Sequence, residues 1–345
     1  MKTFLILLSV LAATAHASPR FVKTSPATTP RYQTDTRALC DTARETLAYM
    51  KKEATLDRAV IHPGLLVPIP IPRVEATLKF VCEHQNRMND PKFVARHFDF
   101  YRWYPDCKGV NTPNRPEGSI RMTRYYVHRA PARHQRTPQT PFALYGLPED
   151  EAHLSLEDAS KHPELIRFQY GKQAILKGAL QKKAVPVLAW VSREDLEAAL
   201  LQGTLIADFD DNTTQTFNVH RGNNIPYNRA LPPLEQERYW YFKAVDGVKG
   251  YGRDAEHKIT VEPGATFAAD LEQFGLGKLL MVQYPGAGGA PVTRVGVMAD
   301  TGGAFHRNFC QVDFLTGSYR GLAAFQKANR GLPDYVNAWI MVLKP

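Results

Sequence analysis

Two carboxylates carry the clearest chemical signal in this sequence. In RVGVMADTGGAFHRNFCQVDFLTGSYRG, Arg294 to Gly321, an apolar run ends in Asp300, a Thr-Gly-Gly segment follows, and a second apolar run delivers Asp313 between Val312 and Phe314. Gly302 and Gly303 allow the backbone to turn back tightly, so the two aspartates can face one cleft. An aspartate set among Gln311, Val312, Phe314 and Leu315 is expected to lose part of its hydration. Desolvation raises a carboxyl pKa, which makes Asp313 a candidate proton donor.

The elements that must position these groups can be read from apolar spacing. Thr36 to Ala54 places Leu39, Ala43, Leu47 and Met50 on one helical face, and Arg73 to Asn89 does the same with Val74, Leu78, Val81 and Cys82. Val60 to Pro72 is broken by prolines and reads as extended. From Arg96 the texture changes to aromatic-dense alternation: His97 to Asp106, then Ile120 to Arg136, read as strands with intervening loops. A short helix is expected near Ile175 to Leu180 and a buried strand at Pro186 to Val191. Ser192-Arg193-Glu194-Asp195 can cap a helix over Leu196 to Leu201. Leu205 to Val219 reads as a hairpin around Asp210-Asp211-Asn212. Further short strands begin at Arg238, Lys258, Lys278, Thr293 and Val336. Many short strands separated by Pro/Gly turns favour a barrel over an open parallel sheet.

Composition sets the class. The chain has 345 residues, 44% of them hydrophobic, with 25 prolines and 23 glycines, which suits a globular β-rich protein and excludes a helix bundle or a wholly disordered chain. Lys2, the apolar run Phe4 to Ala13 and Ala15-His16-Ala17 read as a cleaved export signal over 1–17. The apolar run is too short for a membrane span, and no cysteine lies near the cleavage site to carry a lipid. Residues 18–35 are rich in Ser, Thr and Pro and read as a flexible lead-in. The formal charge of +9 suits a polyanionic partner; export argues against nucleic acid. Four cysteines in an exported chain can pair in three ways. The pairing taken is Cys40 with Cys82, in two helical segments, and Cys107 with Cys310; free buried thiols are the alternative. No CxxC clamp points to a metal.

ADTGGAF…QVDFLTGS resembles the three-aspartate double-psi barrel element of the membrane-bound lytic transglycosylase A family. Upstream blocks resemble the same family in the same order: RYYVHRAPARHQRTPQTPFALYGLP (Arg124 to Pro148), ILKGALQKKAVPVLAWV (Ile175 to Val191), LLQGTLIADFDDNTTQTFNVHRGNNIPYNR (Leu200 to Arg229) and RYWYFKAVDGVKGYG (Arg238 to Gly252). The N-terminal hundred residues are not covered. The resemblance implies a mainly β protein with N-terminal helices, in which a double-psi β-barrel domain carries an inserted smaller β-barrel domain. Mapped here, 36–128 holds the helices and first strands, 129–231 the insertion, and 232–345 the rest of the first domain. It further implies a periplasmic enzyme of a Gram-negative cell, without cofactor or metal; an export signal with no lipid-attachment cysteine departs from the family's anchored members, so a soluble protein without a membrane anchor after signal cleavage is expected. Its partner is the peptidoglycan glycan strand, cut at the β-1,4 bond between N-acetylmuramic acid and N-acetylglucosamine with formation of a 1,6-anhydro end.

Asp313 matches the family's single acid/base, and Asp300 becomes an orienting group or a cap for the Gly302-Gly303 amides. Tyr125 or Tyr126 could stack on sugar rings, one of the two facing the core because neighbours on a strand point to opposite sides. Gln202, Asn223 and Asn224 offer amides suited to N-acetyl and hydroxyl groups. Arg133, His134 and Arg136 could attract carboxylates of the peptide stems. Departures from the family pattern include Leu205, expected to reshape the groove, and His220 and Asn223, which stand where the family has an aromatic residue and a lysine. Two other readings stay open: an expansin-like protein that binds wall glycan without cutting it, and a hydrolase using both carboxylates.

Overall fold

The computed structural model describes residues 18–26, 31–228, 230–286 and 289–345. The expected export signal lies outside the described residues. The helix Thr36–Glu53 buries Leu39, Ala43 and Met50 on one face, and Asp35 caps it by accepting from the Ala38 amide at 3.0 Å. The helix Ile71–Glu83 buries Val74, Leu78 and Val81, with Pro72 in the first turn where no N–H is needed. The two helices are joined by a Cys40–Cys82 disulfide, and a second bridge links Cys107 to Cys310, the pairing expected from the sequence. The short helices were not legible as faces; even Pro91–His97, of 7 residues, and Gly321–Ala328, of 8 residues, complete too few turns to show a stripe.

The stretch expected to be a flexible lead-in is partly structured. Arg20–Lys23 pairs antiparallel with Tyr101–Tyr104, and Arg31–Tyr32 pairs parallel with Val292–Thr293. One residue explains the first docking: Phe21 stacks on Trp103 at 5.9 Å and meets the edge of Phe274 at 6.0 Å.

Most strands belong to one 12-stranded mixed sheet. Within it Tyr335–Leu343, Leu279–Pro285, Pro291–Asp300, Thr266–Ala268, Gln311–Tyr319 and Ile120–Ala132 are hydrogen-bonded in that order. Ile120–Ala132 also pairs with Tyr335–Leu343, so these strands close on themselves. Closure joins the two ends of this run around a core that includes Phe267, Leu280, Val297, Val312 and Ile340.

The 13 residues of Ile120–Ala132 serve two cores. Its first part pairs with the strand carrying Asp313; from His128 onward it pairs with Thr204–Phe209, which continues antiparallel to Thr214–Gly222 and then Trp240–Val245. The separate pair Phe142–Tyr145 and Val187–Val191 is tied to this extension by bridges Gly146–Phe242 and Arg133–Trp190. Side chains inside this second circuit form their own cluster around Leu144, Val191, Leu196, Leu205 and Phe217. Tyr239, Tyr241 and Phe242 are buried in it as well, beyond the boundary expected at residue 231. In the strand Trp240–Val245 the neighbours Tyr241 and Phe242 are both buried and complete the second core.

Candidate active site

The register of three strands brings the two aspartates together. Ala268 is the cross-strand partner of Asp300 on one side and of Asp313 on the other, so both carboxylates flank one short strand. At the usual interstrand spacing their Cα atoms lie about 10 Å apart. Thr123, opposite Asp313, belongs to the long strand Ile120–Ala132, which also supplies Tyr125. The small Ala268 side chain leaves room between the two acids.

Their hydrogen bonding differs. Asp300 is fully engaged: its Oδ2 accepts from the Tyr125 hydroxyl at 2.7 Å and its Oδ1 from the Thr301 amide at 2.8 Å. Asp313 has a buried Oδ1 with no hydrogen-bond partner among the described residues. Burial pushes both carboxyls up to about 6, and the negative charge of Asp300 adds to the rise at Asp313. The bonds from Tyr125 and Thr301 and the Lys258 charge oppose the rise at Asp300. Tyr125 itself is held well above its ordinary pKa by burial and by the Asp300 charge, so it keeps the proton that it donates. Burial lowers Lys258 to about 8, while its Nζ donates to Asn218 Oδ1 at 2.7 Å and to the Val219 carbonyl. Two acids that share a partly desolvated site with a raised pKa meet the requirement for proton transfer near neutral pH.

These groups open onto a groove of about 990 Å³ between the two cores. Asp300, Asp313, Tyr125 and Gln202 all line it. Gln202 arrives there because Ser192 caps the helix Arg193–Gln202, its hydroxyl accepting from the Asp195 amide at 3.1 Å, and Gly203 ends that helix at φ +80°. Gly302 and Gly303 also line the groove, although neither has a positive φ; a Cβ at Gly303 would meet nothing. They also make the expected turn, in which the Phe305 amide donates to the Gly302 carbonyl at 2.9 Å.

Other expected site residues lie elsewhere. Tyr126 points to the opposite side of its strand, buried and stacked on Phe325 at 4.6 Å, so Tyr125 is the groove-facing member of the pair. Asn223 is buried: its Nδ2 donates to the carbonyls of Tyr170 and Glu237 while its Oδ1 accepts from the Tyr239 amide. That side chain tethers the loop and has nothing left for a ligand. Asn224 is exposed outside the groove lining, at φ 59°, where an asparagine accommodates a left-handed turn. Leu205 faces the second core; Thr204 before it borders the groove and accepts from Asn218 Nδ2 at 2.7 Å. His220 is buried and pushed down to about 4, chiefly by loss of hydration. Arg133 pairs with Asp210, His134 with Asp211, and Arg136 lies over Trp190, away from the groove.

Several lining residues were not singled out from the sequence: Asn218, Tyr227, Arg238, Trp240, Tyr251 and Lys258. The alternation in RYWYFKAV was the available signal, since Tyr239 and Tyr241 are buried and Trp240 between them reaches the groove. Asp254, Glu256 and His257 place ligand-type atoms within 4.8 Å of one another. Those atoms are already used, Asp254 by His257 and Glu256 by Lys243. Among the described residues no helix is long and apolar enough to cross a membrane.

No protein-family model and no curated protein matches the chain. Solved structures do. The chain is similar to a membrane-bound lytic murein transglycosylase from Agrobacterium tumefaciens, 17% identical over 91% of this chain and 94% of that one, with a TM-score of 0.62. It is similar to E. coli MltA with bound chitohexaose, 17% identical over 95% of each chain at a TM-score of 0.61. MltA from Neisseria gonorrhoeae is 16% identical over 88% of each chain, at 0.56. The chain therefore has the fold of these transglycosylase structures, mostly β with a large mixed sheet and a few helices.

Proposed function

We propose that the protein is a peptidoglycan lytic transglycosylase of the membrane-bound lytic transglycosylase A type, with Asp313 as its single acid/base. The observation that carries this reading is the unequal engagement of the two carboxyls. Both Asp300 oxygens hold short hydrogen bonds, whereas Asp313 lines the groove and its buried Oδ1 has no hydrogen-bond partner among the described residues. A hydrolase with two independent carboxylates needs the second one free to act on water or on the sugar. Asp300 is not free, which favours the transglycosylase over that alternative.

In the proposed sequence a glycan strand lies in the groove with the bond between N-acetylmuramic acid and N-acetylglucosamine beside Asp313. Protonated Asp313 gives its proton to the departing glycosidic oxygen as the C1–O4 bond breaks. The resulting carboxylate then takes the proton of the C6 hydroxyl of the same muramic acid. O6 bonds to C1, the 1,6-anhydro ring closes, and Asp313 ends protonated again. The nucleophile is already attached to the sugar, so proximity supplies what an activated water supplies elsewhere. Asp300 holds Tyr125 and raises the proton affinity of Asp313 through its charge.

A neighbour's structure with bound chitohexaose supports a glycan ligand for this groove. We read the closed strand ring as a double-psi barrel and the second circuit as its inserted domain. The two disulfides favour an exported, periplasmic protein. Digestion of purified sacculi with mass detection of the products tests the function. Release of 1,6-anhydromuropeptides with no oxygen incorporated from labelled water is expected from the wild type and is abolished by Asp313→Asn. Reducing ends carrying the label would point to hydrolysis, and binding without release to an expansin-like role.

A further inference from the structure

A second hollow, of about 170 Å³, adjoins the main groove and shares Leu200, Leu201, Tyr227, Arg238 and Trp240 with it. Its chemistry is unlike that of a sugar trough. Leu234 and Pro233 continue the apolar surface of Leu200 and Leu201, and Leu201 and Leu234 are exposed large hydrophobic residues. The two charged groups on its far wall, Lys172 and Glu197, neutralise each other at 2.7 Å.

One charge remains at the neck. Arg238 lies over the Tyr227 ring at 5.2 Å and the Trp240 ring at 5.9 Å, and its side chain makes no ion pair or hydrogen bond among the described residues. Other cations of the main groove are committed: Arg124 pairs with Asp334, Lys249 with Asp246, and Lys258 donates to Asn218. A guanidinium held between aromatic faces keeps its fork of donors oriented and available for a carboxylate.

We propose that this side hollow receives the acidic peptide stem of a peptidoglycan strand whose sugars lie in the main groove, with Arg238 as the cation that selects for stem-bearing substrate. The inference rests on the glycan-cleaving function proposed above. A muramic acid carries its stem on the lactyl group, so the stem leaves the sugar chain sideways, as this hollow leaves the groove. The volume equals about six water molecules, room for small side chains such as alanine against the leucines. A stem carboxylate then meets Arg238 at the neck. The basic cluster expected for this task lies away from this hollow, with Arg133 and His134 paired to Asp210 and Asp211 and Arg136 over Trp190.

The test compares two substrates that differ in one feature: stem-bearing glycan chains, and the same chains stripped of peptide by an amidase. The wild type is expected to prefer the stem-bearing chains by about tenfold in kcat/KM, as suits one charge-assisted contact. Arg238→Gln should collapse that ratio toward one, with the change in KM for the stem-bearing chains. Leu234→Asp, which puts a negative charge in the hollow and leaves the neck intact, should lower the ratio as well. An unchanged ratio in both variants, or no preference in the wild type, overturns the inference while the cleavage function stands. Absence of anhydro products from both substrates in the wild type would instead overturn the function on which it rests.

Discussion

At the scale of single residues, the proton balance of the site follows from burial. Asp300 and Asp313 both sit at about 6, above the ordinary aspartate value of 3.8. The two acids interact, so the measured constants belong to the pair. A donor that must be protonated loses rate as pH rises through its pKa, so kcat/KM should decline above roughly pH 6 with unit slope. Asp300→Asn removes a negative neighbour and should move that limb to lower pH, which a pH–rate profile reads directly. Stability has its own sign. Because the folded state holds protons that the unfolded chain releases, stability falls as pH rises from about 4 through about 6. Asp313→Asn should therefore raise the melting temperature at pH 7, change it little near pH 4, and leave no turnover. The residues with chemical content of their own, Asp313, Asp300, Tyr125 and Gln202, were legible from sequence and line the groove. Asn223 was misread because an Asn-Asn pair beside glycine looks like an exposed turn. Only the fold reveals that its amide is consumed by four backbone groups.

At the scale of elements, alternation and capping were good guides where a segment was long enough. Ser192 was read as a cap and does cap the helix Arg193–Gln202, whose last residue enters the groove. Ser192→Ala should cost about 1 kcal/mol of stability, measured by denaturant unfolding. It should also raise KM more than it lowers kcat, because the helix end forms a wall and touches no reacting atom. Thr266–Ala268, only 3 residues long, is the strand that sets both aspartates in register. Its importance was invisible beforehand, since a run of that length has no period. Likewise Asn218 and Lys258 stand 40 positions apart and meet only when two hairpins fold against each other.

At the scale of the whole molecule, ring closure and disulfides hold distant parts of the chain. The Cys107–Cys310 bridge spans 203 positions and ends one residue before the strand that carries Asp313. In the chain-entropy limit a loop of that size contributes about 5 kcal/mol. Replacing both cysteines by serine should lower the melting temperature sharply and reduce turnover at temperatures where the protein is still folded. In the unsubstituted protein, mild reduction should have the same two effects and reoxidation should reverse them. The general architecture, helices first and then closed β structure, was readable because proline, glycine and short apolar runs exclude the alternatives. The limit of the second core was not, because the chain returns to it after the boundary that motif order implied.

The long strand Ile120–Ala132 runs unbroken from one core into the other and carries Tyr125 beside the acids on the way. Two lobes spliced by a shared girder cannot swing like a door on a loop. To widen the groove, the girder itself must twist, and any such torsion is felt at once by the tyrosine that steadies Asp300.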